Sequence, residues 1–267
     1  TVATNENYRK MVSWIGGDFK RIVRELVWLL AKWDESEIIS YAKEFNPDII
    51  FAPCYGNHYM QKLTILVHEK LKAPVISYIS DDFYTNKQFK FSPVFWMNHF
   101  FLRRRTRTTF KHYSLVYTMT NEQKEQCERD FGANMKILRK NGQFESQYLK
   151  KTVNSPIRLV YAGGIYLDRW KTLKVLADAI RAINVDGVKM VLDIYTNNLL
   201  NDKMQQAIND GVSSRVHKAV SMVELMEIYH HSDVALHVEA FDVTNRHIVR
   251  MSFSTKIIDC MDSGCAV

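Results

Sequence analysis

The sequence has no apolar run of the roughly 18 residues that a bilayer-spanning helix needs. The longest candidate, residues 22–33, is interrupted by Arg24 and Glu25. The sequence also contains no internal repeat and no low-complexity segment. These absences argue against a membrane-spanning protein and against a repeat architecture.

The sequence has few cysteines, and they do not show the spacing of metal ligands. The chain has four cysteines, none of them spaced like a pair of metal ligands. They are Cys54, Cys127, Cys260 and Cys265. We interpret them as reduced thiols of a cytoplasmic protein, and we expect neither a metal nor a cofactor.

The sequence does contain enough apolar residues for ordered cores. Of its 267 residues, 46% are hydrophobic and 24% are charged, which is the composition of a globular protein. The length favours two domains of ordinary size. Thr1 is not an initiator methionine, and residues 265–267 look like the first half of a strand, so we expect a chain truncated at both ends.

The net charge of +7 is concentrated in a basic cluster of five cations within nine residues. The basic cluster consists of Arg103, Arg104, Arg105, Arg107 and Lys111. It follows the aromatic-rich run 95–101 in a predicted helix. The helix either packs in the core with its arginines in solvent or lies on an anionic membrane surface. No recognised nucleic-acid module accompanies the cluster, so we expect no nucleic acid.

Short apolar segments alternate with helical periodicity along the chain, which is typical of parallel sheets. In the first half, the periodicity is helical over 19–45, 58–72, 95–112 and 121–131, and strands are predicted at 48–52, 74–79, 114–118 and 135–138. In the second half, strands are predicted at 157–161, 188–195, near 216 and at 233–238, and helices at 171–183, 201–210, 222–231 and 255–262. The polar stretch 145–156 is predicted to be the linker.

A first segment has the pattern of a phosphate-binding turn. The predicted buried strand 157–161 is followed by Gly163 and Gly164, which permit backbone conformations that a side chain would forbid. Arg169 and Lys171 then add positive charge. We predict that this turn contacts a phosphate.

A second segment of the same kind lies about ninety residues further on. Ser254 and Thr255 occupy the predicted N-cap of a helix, and Lys256 adds charge beside backbone amides that favour an anion. Together, the two segments predict a diphosphate held between two loops of one α/β domain.

Asp81 and Asp82 follow the predicted strand 74–79. Ligands of open α/β sheets collect at the carboxyl ends of strands. One of the two carboxylates could therefore orient or deprotonate an acceptor hydroxyl. The alternative is that both cap the following turn.

The order of these segments resembles the GT-B glycosyltransferases, in particular the large retaining nucleotide-sugar family (glycosyltransferase family 4-like, group 1) that includes sucrose synthase. The similarity lies in residues 46–51, 113–142, 161–164, 219–239 and 254–264. It implies an α/β fold with two Rossmann-like domains, residues 1–148 on the acceptor side and residues 149–267 on the donor side. In that family the domains face each other across a cleft, and we expect both to be incomplete in this chain.

The resemblance also implies roles for the matching residues. Arg169 and Lys171 would neutralise the donor diphosphate, and Thr255 with the helix amides would hold a phosphate. Asp259 would bond the ribose, and the loop around Val220 would recognise the base.

Glu239 would contact the donor sugar or the diphosphate. The family's two acidic residues stand closer together than Glu239 and Asp259, which are twenty positions apart. We expect the intervening residues 242–253 to form a longer loop that supplies sugar or phosphate contacts.

These observations predict a cytoplasmic hexosyltransferase, peripheral to the inner face of a membrane if the basic cluster binds lipid. It would move a sugar from a nucleotide donor to a saccharide or lipid-linked acceptor without a metal, and the resemblance alone implies retention of configuration. The alternatives are a catalytically silent protein of the same fold and a sugar-nucleotide epimerase.

Overall fold

The computed structural model describes residues 17–32, 34–88, 90–142 and 152–267, and these form two compact units. Unit 1 comprises the described residues up to Leu138 together with His247–Phe253. Unit 2 comprises the described part of Arg139–Arg246 together with Ser254–Val267. The predicted boundary between residues 148 and 149 lies outside the described residues, as does the first part of the predicted linker.

Unit 1 alternates helices and strands in the order that the sequence predicts. Its helices are α1 (Gly17–Leu30), α2 (Glu35–Phe45), α3 (His58–Leu71), α4 (Pro93–Phe110) and α5 (Asn121–Phe131). Its strands are β1 (Ile50–Phe51), β2 (Val75–Tyr78), β3 (Tyr113–Thr118) and β4 (Met135–Ile137). Within the described residues, they pair in parallel in the order β1-β2-β3-β4.

The helical periodicity of residues 19–45 is divided between α1 and α2. The carboxylate of Asp34 accepts hydrogen bonds from the backbone N–H groups of Ser36 and Glu37, both at 3.1 Å, so a new helix begins after it. Helix α2 ends at Phe45 because Asn46 takes a left-handed conformation with φ of 48°. The predicted end of the segment at Asn46 is confirmed, but its continuity is wrong.

The core of unit 1 lies between its sheet and its helices. Val75 and Val116 of the central strands are buried, and they belong to one cluster with Phe110 and Phe131 at the ends of α4 and α5. Met251, far along the chain, completes the same cluster. The segment His247–Phe253 is therefore part of the packing of unit 1.

Unit 2 repeats the alternation around a second sheet. Its strands are β5 (Ile157–Ala162), β6 (Met190–Thr196), β7 (Ser214–Lys218) and β8 (Val234–Leu236). Its helices are α6 (Arg169–Ile183), α7 (Asp202–Ile208), α8 (Met222–His230) and α10 (Lys256–Asp262). Helix α9 (Val243–Val249) precedes the last of these, and its residues from His247 onwards are counted in unit 1. Ala266 forms a parallel bridge with Val234, in agreement with the predicted beginning of a strand.

The strand order of unit 2 places a ligand-binding position in its sheet. All pairs are parallel, and the order is β7-β6-β5-β8, so the chain proceeds from β5 to one side and later returns to its other side. Such a reversal opens a crevice at the carboxyl ends of the two strands that flank it. In unit 2 these are β5 and β8.

Residues 242–253 contain a helix, so the prediction of a long loop is wrong. Asp242 is the cause, because its carboxylate accepts a hydrogen bond from the backbone N–H of Asn245 at 3.1 Å and starts α9. The side chain of Asn245 is buried and donates to the carbonyl oxygen of Leu167 at 3.0 Å. Helix α9 is thereby anchored beside the turn that follows β5.

Candidate functional site

The two glycines lie directly after β5, at the switch point of the sheet. The backbone N–H of Gly163 donates to the carbonyl oxygen of Tyr195 at 2.9 Å, which continues the pairing of β5 with β6. The buried hydroxyl of Tyr161 donates to the carbonyl oxygen of Gly164 at 2.7 Å, and burial raises the pKa of Tyr161 to about 12. The phenol therefore keeps its proton and holds the turn in place.

Lys256 lies against this turn. A Cβ atom added at Gly163 would lie 2.2 Å from Nζ of Lys256, so the glycine makes room for the ammonium group. Within the described residues, Lys256 forms no ion pair with an acidic side chain. The structure thus brings the two predicted phosphate-binding segments together and places an uncompensated cation between them.

Arg169 forms a bidentate pair with Glu239, which follows β8. Its Nε and a terminal nitrogen donate to the two carboxylate oxygens at 2.8 and 2.9 Å, and both side chains are partly buried. The hydroxyl of Thr172 donates to the carbonyl oxygen of Glu239 at 2.8 Å. The first turn of α6 therefore fixes Glu239 at the mouth of the crevice, and a diphosphate there would meet Arg169 already paired.

His237 is part of this group, although the sequence analysis did not single it out. Its Nε2 lies 3.3 Å from a carboxylate oxygen of Glu239. Burial lowers the pKa of His237; Glu239 opposes this change, and Arg169 and Lys256 add to it. The imidazole is neutral at pH 7. Its position two residues before Glu239 at a strand end was the available signal.

Lys171 is engaged elsewhere. Its ammonium group pairs with the carboxylate of Asp168 at 2.9 Å, and both side chains are well exposed. A phosphate at the glycine turn would have to draw Lys171 away from that partner.

The beginning of α10 differs from the predicted cap. Thr255 occupies the N-cap position, but its side chain makes no capping hydrogen bond. The carbonyl oxygen of Ser254 accepts from the backbone N–H of Ile257 at 3.1 Å, so a backbone turn starts the helix. Because α10 has only seven residues, we expect the charge of Lys256 to contribute more to anion binding than the helix dipole does.

Asp259 is paired with Lys140 within unit 2. The side chain of Asp259 is about one fifth exposed, and Lys140 comes from the segment that precedes the predicted linker. A ribose hydroxyl would have to share this carboxylate with Lys140.

A pocket of about 350 Å³ lies beside the glycine turn. It is bounded mainly by residues at or just after the carboxyl ends of β5, β6 and β7. Its lining includes Gly163, Gly164, Tyr195, Asn198 and Val220. The Val220 loop predicted to recognise a base and the glycines predicted to contact a phosphate therefore share one pocket.

In unit 1, Asp82 is wholly buried and surrounded by partners. It accepts hydrogen bonds from the backbone N–H of Thr85 at 3.0 Å and from the hydroxyl of the same residue at 2.6 Å, and the amide of Gln88 donates to it at 3.2 Å. Arg250 forms an ion pair with it. This geometry is that of a carboxylate that stabilises a turn, the alternative that the sequence left open.

Asp81 has the opposite environment. It is exposed and lines a pocket of about 620 Å³ at the carboxyl ends of β1 and β2, together with Tyr55, Asn57 and Arg24. Of the two adjacent aspartates, Asp81 is thus the one that a ligand of unit 1 can reach.

The basic cluster is divided in its contacts. Arg103 pairs with Asp130 at 3.0 Å and donates to the carbonyl oxygen of Tyr84 at 2.6 Å. Arg104, Arg107 and Lys111 are exposed.

Among the residues described, no helix combines the length and the apolar character that crossing a bilayer requires. The same ranges contain no group of three or more His, Cys, Asp or Glu side chains that could hold a metal ion.

No protein-family model and no curated protein sequence matches this chain. Solved structures do match. The chain is similar to the pneumococcal O-GlcNAc transferase GtfA in complex with UDP and GlcNAc, with a TM-score of 0.55 and 14% identity over 85% of this chain and 43% of that one. It is similar to TarM, with a TM-score of 0.53 and 11% identity over 77% of this chain and 40% of that one.

A mutant of TarM from S. aureus, in complex with fondaparinux, α-GlcNAc-glycerol and UDP, gives a TM-score of 0.51 and 13% identity over 74% of this chain and 38% of that one. At such identities the likeness shows the fold alone. The fold is that of the GT-B glycosyltransferases, as the sequence predicts. The chain spans less than half of the length of these three structures.

Proposed function

We propose that this chain binds the diphosphate of a nucleotide-sugar donor and belongs to a glycosyltransferase. One observation carries the proposal. The ammonium group of Lys256 lies against the Gly163 turn at the switch point of a parallel sheet, and it forms no ion pair with an acidic side chain of the described residues. A cation beside a glycine turn at this position suits an anionic ligand.

The chemistry of glycosyl transfer explains what such a site would do. When the anomeric bond breaks, negative charge grows on the leaving diphosphate and positive charge grows on the sugar. Fixed cations stabilise the leaving group without a metal. We propose this role for Lys256, and Arg169 is held within the same group by Glu239.

On the sugar side, Glu239 is the carboxylate at the mouth of the crevice. We propose that it contacts the donor sugar, and that the diphosphate competes with it for Arg169. Retention of configuration is proposed from the family resemblance, and in such a reaction the leaving phosphate itself can take the acceptor proton. No protein base is then required, and Asp81 would orient the acceptor hydroxyl.

We propose a saccharide or lipid-linked acceptor and a cytoplasmic location at the inner face of a membrane. The exposed Arg104, Arg107 and Lys111, with the exposed rings of Phe100 and Phe101, support contact with anionic headgroups. Arg103 does not contribute, because it is paired with Asp130. Sedimentation with liposomes that contain or lack anionic lipid tests this part of the proposal, and equal sedimentation with both would count against it.

The first experiment is thermal unfolding of the chain with UDP, GDP, ADP and CMP. UDP comes first because GtfA and the TarM mutant are described in complex with it. A ligand at about 100 times its Kd adds roughly 2.7 kcal/mol of stability, which raises Tm by several degrees. We expect such a shift with one nucleotide.

Lys256→Ala should abolish the shift and leave the Tm of the free chain nearly unchanged. Lys174→Ala is the matched control, because it removes an exposed lysine of α6 that pairs with Asp178. A shift that survives in Lys256→Ala would refute the assignment of the diphosphate site.

Product analysis then separates the three candidate activities. A transferase forms a glycoside, an epimerase forms a new sugar nucleotide, and a silent protein of the same fold forms neither. Asp81→Asn should slow transfer to the acceptor and leave the nucleotide shift intact. Unchanged transfer would remove Asp81 from the mechanism.

A further inference from the structure

Unit 1 contains a groove of about 490 Å³ beside α1. It lies between α1 and α4 and reaches the first residue of α3. Most of its wall is apolar and consists of Ile22, Leu26 and Leu29 of α1 and Met97 and Phe101 of α4. Its volume falls within the range of about 300–1,000 Å³ that is typical of small-molecule sites.

Side-chain contacts hold helix α1 against α3, so one wall of the groove is fixed. The side chain of Asn57, the N-cap residue of α3, makes no capping hydrogen bond. Instead, the buried carboxylate of Glu25 accepts a hydrogen bond from the backbone N–H of His58 at 3.0 Å. A terminal nitrogen of Arg24 donates to the side chain of Asn57 at 2.7 Å. The rings of Trp28 and Tyr59 stack with their centroids 4.7 Å apart. These contacts hold α1 in place along its middle turns.

The groove also carries positive charge. Arg104 and Arg105 line it, and within the described residues neither forms an ion pair with an acidic side chain, in contrast to Arg103. The carboxylate in the groove, Glu25, is already paired with Arg24 at 2.9 Å. Burial lowers the pKa of His58; Glu25 opposes this change, and Arg105 adds to it, so the imidazole is neutral. The guanidinium groups are therefore uncompensated.

We propose that this groove binds an anionic single-chain amphiphile, with its hydrocarbon chain against the α1 and α4 side chains and its phosphate or carboxylate head on Arg104 and Arg105. Burial of the chain accounts for the apolar wall, and a guanidinium group is well matched to an anionic oxygen pair. The site lies in unit 1 and does not depend on the donor chemistry proposed for unit 2. The amphiphile and diphosphate proposals can therefore fail separately, whereas the groove shares Arg104 and Phe101 with the surface proposed above to contact headgroups.

The test is isothermal titration of the whole chain with decyl phosphate below its critical micelle concentration. We expect one molecule bound per chain. Inorganic phosphate, which lacks the chain, should show no binding to the groove. Decyl glucoside, which lacks the charge, should bind at least tenfold more weakly. Equal affinity for decyl glucoside and decyl phosphate would overturn the proposal.

Two matched pairs of variants locate the site. Arg105→Gln should weaken decyl phosphate binding about tenfold, whereas Arg107→Gln, which removes a charge of the same helix outside the groove, should change it less than twofold. Leu29→Trp should block the groove, whereas Leu30→Trp adds the same ring at the neighbouring exposed position outside it. Equal effects within either pair would overturn the proposal.

A final experiment distinguishes binding in the groove from binding to a bilayer surface. Vesicles of anionic phospholipid are titrated with the same four variants. Binding to vesicles but not to monomeric decyl phosphate would overturn the proposal in favour of a membrane-facing surface. Binding of monomeric decyl phosphate that follows the Arg105 and Leu29 variants would support it.

Discussion

The carboxyl edges of the two parallel sheets both carry charged side chains, but the two units use them differently. In unit 1, Asp82 is buried, and its oxygens are occupied by Thr85, Gln88 and Arg250. In unit 2, Lys256 lies at the glycine turn without an acidic partner among the described residues. A charge that the fold itself neutralises stabilises the fold, whereas an uncompensated charge at a crevice is available to a ligand. Sequence position alone does not distinguish the two cases.

The largest effect should come from Arg250→Ala. This variant leaves the buried carboxylate of Asp82 without its counter-ion, which costs about 3 kcal/mol or more. Urea unfolding of the whole chain measures the loss. Arg246→Ala, which removes an exposed arginine of α9 four residues before Arg250, is the control and should change stability by less than about 0.5 kcal/mol.

The double variant with Asp82→Asn sharpens this prediction. Removing the charge on both sides should recover part of the stability that Arg250→Ala loses. If the single variant proves as stable as the parent, Asp82 is not the structural carboxylate described above.

The next largest effect should come from Gly163→Ala. The new methyl group would lie 2.2 Å from the present position of Nζ of Lys256, so the lysine must move off the turn. Because the four-carbon stem of a lysine can adopt other rotamers, we expect a small change in Tm but at least a tenfold loss of nucleotide affinity, about 1.4 kcal/mol. Titration calorimetry with UDP measures it. Undiminished affinity would show that the ammonium group does not hold the phosphate where it lies now.

Glu239→Gln should have a smaller effect, and it should strengthen nucleotide binding where Gly163→Ala weakens it. It removes a negative charge beside the proposed diphosphate and releases Arg169 from its bidentate pair. We expect nucleoside diphosphate affinity to rise about two- to fivefold, the scale of a partly exposed charge contact. Sugar transfer should fall at the same time. Weaker diphosphate binding would mean that Glu239 is needed to position Arg169.

The smallest effect concerns acidification. Burial lowers the pKa of His99, and Arg103 lowers it further. The unfolded chain therefore takes up the proton more readily than the folded one, and stability falls as the pH drops below about 6.5. The Tm of His99→Leu should decline less between pH 7.5 and 5.5 than that of the parent. His58 also has a lowered pKa, so the decline will not vanish.

Local signals predicted most of the fold. Apolar segments and helical periodicity gave nearly every described strand and helix, and Asn46 correctly marked the end of α2. Two of the differences, the break before α2 and helix α9, each arise from an aspartate that caps a helix, Asp34 and Asp242 respectively. Both aspartates are helix-start signals, but each lies inside or beside a segment that the sequence analysis interpreted as one continuous element.

The site could be predicted only in part. The positions of the glycines, Lys256 and Val220 at the ends of elements could be predicted because each belongs to a local pattern. The partners of Asp82 and Asp259 could not, because Arg250 and Lys140 lie far from them in the sequence. Whether a carboxylate is free or paired depends on such long-range contacts.

The discontinuity of unit 1 has a consequence for the order of events during synthesis. Arg250 reaches Thr85 across 165 residues of sequence, and the hydroxyl of Thr120 donates to the carbonyl oxygen of Met251 across 131. Domains generally fold as they emerge from the ribosome, the N-terminal one first. Here, the unit that is made first must wait for residues made more than a hundred codons later before Asp82 has its counter-ion. Until then, the core of unit 1 also lacks Met251.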